Sequence, residues 1–111
     1  MKVLTTEPVH QAQINDWKEK YTSGVFAVEV AASDDAGSPV ITGYFRKPSL
    51  DELGLATQAG KENPLKASRV IYNTCLLGGH PLFTDDEDII KAALGKFDVV
   101  VKTREAEIKK L

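Results

Sequence analysis

Shortages bound the chemistry of this chain: among 111 residues there are one cysteine, two histidines, one tryptophan and one methionine. A lone Cys75 closes no internal disulfide, and its apolar surroundings suit a buried thiol in a reducing compartment. His10 has no acidic or cysteine neighbour at ligand spacing, and His80 stands beside Pro81 after two glycines, so neither suggests a metal centre. Glycines occur singly or as Gly78-Gly79 and never in a nucleotide-cradling pattern. Fourteen Lys+Arg against sixteen Asp+Glu give a net charge of -2, which supplies no positive field to collect nucleic acid. No run of about 18 apolar residues is present to span a membrane, and the opening Met1-Lys2-Val3-Leu4-Thr5-Thr6-Glu7-Pro8 lacks a signal-peptide core. The expectation is a cytoplasmic protein without nucleic-acid or membrane partners and without a cofactor.

A hydrophobic content of 42% with 27% charged residues matches an ordinary folded domain, and the length suits a single core. Residues 1–8 read as flexible. Residues 9–21 place Ile14, Trp17 and Tyr21 at helical spacing, closed by Ser23-Gly24. Two alternating segments, Val25 to Ala32 and Val40 to Arg46, flank a turn rich in Asp, Gly and Pro and predict a β-hairpin over 25–46. Gly43 within the second strand marks a bulge or a close approach. An isolated hairpin is marginal in water, so it must be covered by helices, extended by a third strand such as Val3-Leu4, or paired with another copy through its edge.

The helical part, 49–111, starts at a capping box. Ser49-Leu50-Asp51-Glu52 follows Pro48, and the pattern predicts a helix to about Ala59 before Gly60. Asn63-Pro64 starts a second helix whose apolar face collects Leu65, Val70, Ile71, Thr74, Cys75 and Leu77, with Gly78-Gly79 as its stop. Thr84-Asp85-Asp86-Glu87 repeats the capping logic ahead of Ile89, Ile90, Ala93 and Leu94. Phe97, Val100, Val101, Ile108 and Leu111 then fit a last helical face. The fold class is α+β: an N-terminal helix and a β-hairpin followed by a small bundle of three to four short helices, in one domain.

Catalytic constellations are scarce. Cys75 with His80 would make a nucleophile and base, but Cys75 falls at a helix C-terminus, where the dipole disfavours a thiolate. The run Asp85-Asp86-Glu87-Asp88 lacks the spaced oxygens of a Ca²⁺ loop and reads as helix capping. Arg46-Lys47 and the tail residues Lys102, Arg104, Lys109 and Lys110, interleaved with Glu105 and Glu107, read as a solvated helix face. A non-enzymatic protein is expected.

The strand ending Tyr44-Phe45-Arg46-Lys47-Pro48, the helix start Ser49-Leu50-Asp51-Glu52-Leu53, the Asn63-Pro64-Leu65 break, the Cys75-Leu76-Leu77-Gly78-Gly79 segment and the short helices up to Lys110-Leu111 together resemble the phage tail assembly chaperones. The resemblance spans residues 40–111, and the preceding hairpin is similar too, whereas the N-terminal helix matches less clearly. It implies a non-enzymatic factor of the bacterial host cytoplasm that holds a tape-measure-type client, a long helical chain, until tail-tube subunits polymerise around it. Trp17, Phe45, Leu82, Phe83 and Phe97 are the candidate interface residues, because large apolar groups dominate interface energetics; Phe45 and Phe97 also read as core. A structural or regulatory homodimer joined through the hairpin edge is the alternative.

Overall fold

The computed structural model describes residues 2–97 and 106–111. Its order is β1 (Val3–Leu4), α1 (Gln11–Lys20), β2 (Val25–Ala31), β3 (Val40–Arg46), α2 (Leu50–Ala59), α3 (Pro64–Cys75), β4 (Leu76–Gly79), α4 (Leu82–Asp85) and α5 (Glu87–Leu94). The fold is α+β, with a four-stranded sheet in the order β1-β4-β3-β2.

The hairpin forms where alternation places it. β2 and β3 run antiparallel from Val25 opposite Arg46 to Ala31 opposite Val40. Phe26, Val28, Val30, Ile41 and Phe45 share one face, and the turn between the strands uses Gly37 at φ +82°, a conformation that costs glycine little.

A strand replaces the expected end of the second helix. α3 stops at Cys75, and Leu76–Gly79 forms β4, antiparallel to β3 and parallel to β1. Gly78-Gly79 is therefore no helix stop. The two glycines are what allows a strand here: Gly79 has φ +120°, and a side chain on it would collide with the Thr42 carbonyl. A Cβ on Gly78 would meet the Val3 carbonyl and the Trp17 ring. Leu76 and Leu77 are both buried, as befits a strand covered on its two faces. Against the expected flexibility of residues 1–8, Val3–Leu4 is paired in the sheet, and it pairs with β4, which takes the β3 side of the hairpin, instead of with the hairpin itself.

Helices cover both faces. On one, α3, α4 and α5 bring Tyr72, Phe83, Ile89, Ile90 and Ala93 onto Val28, Ile41 and Phe45, with Phe97 joining the cluster. Phe45 is the hub, with ring centroids 5.1 Å from Tyr72, 6.3 Å from Phe83 and 5.1 Å from Phe97. The Tyr72 hydroxyl is satisfied in this apolar setting by donating to the Phe83 carbonyl at 2.6 Å. Gly43 makes room for the Phe83 ring, since a Cβ there would lie 2.6 Å from it. On the opposite face α1 lays Trp17 against Tyr44, centroids 5.5 Å apart.

One further start signal resolves differently from the sequence reading. α5 is capped by Asp86, whose Oδ1 accepts from the Asp88 and Ile89 amides, while Thr84 donates its hydroxyl to the Pro81 carbonyl inside α4. Gly95 ends α5. The expected last helix falls mainly on residues 98–105, outside the described residues; residues 106–111 carry no regular structure, and Ile108 and Leu111 are fully exposed.

Candidate functional site

The junction from β3 into α2 is the best-organised polar cluster in the protein. Ser49 Oγ accepts from the Glu52 amide and Glu52 Oε1 accepts from the Ser49 amide at 2.7 Å, the capping box expected from sequence. The same carboxylate takes both arms of the Arg46 guanidinium, each at 2.7 Å. Arg46 also donates to the Thr74 carbonyl at 3.3 Å and lies 5.4 Å from the Tyr21 ring. One guanidinium thus ties β3 to the start of α2, the end of α3 and the end of α1. Arg46 holds the Glu52 carboxyl down at about 2, because a bidentate pair favours the charged form. The cleft beside it, lined in part by Lys2, Asp16, Trp17 and Lys20, is polar, but its arginine is already engaged by Glu52.

Cys75 offers no nucleophile. Its side chain is fully buried, and burial pushes the thiol up to about 11, against a smaller opposing pull from Arg46. His80 uses Nδ1 to accept from the Leu82 amide at 3.2 Å, which makes it a turn residue between β4 and α4. Within the acidic run Asp86 caps α5 and Glu87 pairs with Arg69, and among the described residues no three His, Cys, Asp or Glu side chains gather as metal ligands.

The candidate interface residues go inward. Phe45 and Phe83 have no exposed surface and Trp17 and Phe97 have 6% each, so these four are core groups of the folded chain. Leu82, half-buried, packs against the same cluster. The cause is the sheet: Trp17 finds Tyr44 and Gly78, and the three phenylalanines find one another across β3, α4 and the end of α5, contacts that sequence spacing does not reveal.

Exposed apolar surface lies elsewhere, on the helical pair α2 and α3. Leu50, Leu55 and Leu65 are 84%, 65% and 75% exposed, although sequence periodicity assigned Leu65 to the core face of its helix. α3 begins at Asn63, whose side chain accepts from the Leu65 amide at 3.0 Å. Its exposed first turn runs alongside α5, to which it is joined by Arg69 and Glu87 through two bonds of 3.2 Å. Between the helices lies a groove of about 350 Å³ with Leu65, Ile90 and Leu94 as its apolar lining and Lys66, Arg69 and Lys91 around it; Glu87 is its one carboxylate among the described residues. Sequence reasoning found the leucines and the isoleucine as helix faces but missed the groove, because which helix flanks which is a tertiary fact. The spacing of Lys66 and Arg69, three apart on one helix, was the available signal.

No family model matches the chain, and no curated protein or solved structure matches it. Among the described residues no helix is long and apolar enough to cross a membrane.

Proposed function

We propose that this protein is a non-enzymatic assembly factor of the tail assembly chaperone kind, which holds a long helical, tape-measure-type client in the host cytoplasm until assembly. The observation that carries the reading is the α3–α5 groove, apolar within, with Lys66 and Lys91 at its edge beside the paired Arg69 and Glu87. That combination fits an amphipathic client helix docked by its apolar face with acidic residues alongside, since a helix in a groove is recognised by apolar anchors and steered by complementary charge. The exposed Leu50 and Leu55 on α2 add apolar surface of the kind a holding factor presents to an aggregation-prone chain. The kind of client comes from the resemblance of residues 40–111 to the tail assembly chaperones.

Affinity capture of the tagged protein from its native cells, followed by mass spectrometry, tests the proposal. The expected result is recovery of one very long, helix-rich polypeptide, insensitive to nuclease and weakened by high salt. Recovery of the bait alone, or of short unrelated polypeptides, overturns it.

A further inference from the structure

β2 ends the sheet, and among the described residues nothing pairs with its outer edge. Such edges are commonly blunted by proline, lysine or a bulge. β2, Val25-Phe26-Ala27-Val28-Glu29-Val30-Ala31, has no proline and no lysine, and its pairing with β3 runs through seven residues without a register shift. The outward groups follow from one bond: Ala32, continuing the same register, donates to the Pro39 carbonyl at 2.9 Å. Antiparallel alternation then aims the backbone groups of Phe26, Val28 and Val30 at β3, and those of Val25, Ala27, Glu29 and Ala31 at the outer edge.

We infer that β2 is a dimerisation strand, pairing antiparallel with β2 of a second copy about a two-fold axis at Val28. Three features select this occupant and this register. The strand is self-complementary about Val28, as an isologous contact requires: Phe26 meets Val30 of the second copy and Val25 meets Ala31, apolar on apolar. Every outward backbone group is then used, giving about eight hydrogen bonds, and Val28 faces its own counterpart at a non-hydrogen-bonded position, where side chains approach most closely. Charge decides among neighbouring registers. At Val28 the strand's sole charge, Glu29, faces Ala27 of the second copy. A two-residue slip one way sets Glu29 against Glu29, which like-charge repulsion disfavours, and a slip the other way leaves Val30 and Ala31 unpaired. Phe26 and Val30, half-buried in the single chain, gain the cover they lack, and Ala27, Glu29 and Ala31 are exposed and accessible to a partner. The dimer strand lies apart from the α3–α5 groove and does not rest on the client reading.

Analytical ultracentrifugation over a concentration series, with residue-resolved hydrogen exchange on the same samples, tests it. The expected result is a monomer–dimer equilibrium in which the amides of Val25, Ala27, Glu29 and Ala31 become protected as concentration rises, while those of Val28 and Val30 are protected throughout. Ala27→Pro removes an outward donor and no bond to β3, so it should abolish the dimer. Ala27→Lys sets a cation opposite Glu29 of the second copy twice per dimer and should tighten it roughly two- to tenfold; this arm needs no disruptive change, so it stands even if the proline variant unfolds. A monomer at all concentrations, edge protection that does not vary with concentration, or weakening by Ala27→Lys each overturns the assignment.

Discussion

Two regions of this protein spend their apolar residues in opposite ways. Around Phe45 the aromatic groups of β3, α3 and α4 are wholly enclosed and touch one another at centroid distances of 5.1 to 6.3 Å. On α2 and the first turn of α3, leucines of similar apolar character stand 65% to 84% exposed. The first arrangement accounts for stability, since enclosed aromatics remove the most surface from water. The second contributes little to folding, and under the proposed function it is apolar surface open to a client. The largest apolar residues are therefore taken up by the packing on the sheet and leave little surface for a partner.

The sharpest contrast should come from Phe45→Ala. It removes the hub of the enclosed cluster, and a loss of about 3–5 kcal/mol is expected from urea unfolding; a loss under 1 kcal/mol would mean the cluster is not the core. Gly79→Ala follows, at about 2–4 kcal/mol, because it combines a left-handed backbone with a collision against the Thr42 carbonyl. Circular dichroism melts of this variant report directly on whether β4 is needed for the sheet.

Smaller effects belong to the junction that joins the two regions. Glu52 has a folded pKa of about 2 against an ordinary 4.5, so its contribution is complete above the ordinary value and is lost as pH falls from about 4.5 towards 2. With part of the carboxylate open to solvent, that contribution is on the order of 1 kcal/mol. Glu52→Gln should flatten this acid limb of the stability curve, and Ser49→Ala should cost about 1 kcal/mol through the lost cap while leaving most of the acid limb, because Arg46 is the larger cause of the lowered Glu52 value. The smallest effect on folding belongs to Leu65→Asn, expected within about 0.5 kcal/mol of the parent because the side chain is 75% exposed.

Elements specified by neighbours in sequence were legible in advance. The hairpin follows from alternation between Val25 and Arg46, the start of α2 from Ser49 and Glu52, and the start of α3 from Asn63 and Pro64, each a signal complete within a few residues. β4 was not legible, because Leu76–Gly79 becomes a strand only through pairing with Val3–Leu4 and Tyr44–Phe45, far away in the chain. Gly43 held half of that information: it stands opposite Gly79, and the close approach it suggests needs a second small residue elsewhere. The groove was hidden for the same reason. Leu65, Ile90 and Leu94 all look like helix-face residues, and only tertiary packing decides that Ile90 is buried in the cluster on the sheet while Leu65 stays outside.

The division of labour between an enclosed aromatic core and an open α3–α5 groove is tested by capture of the proposed long helical client with the parent protein and with Leu65→Asn/Lys66→Glu, alongside the melting temperature of each. Loss of the client at an unchanged melting temperature is the predicted result. Undiminished capture by the variant would contradict it and place binding elsewhere on the molecule.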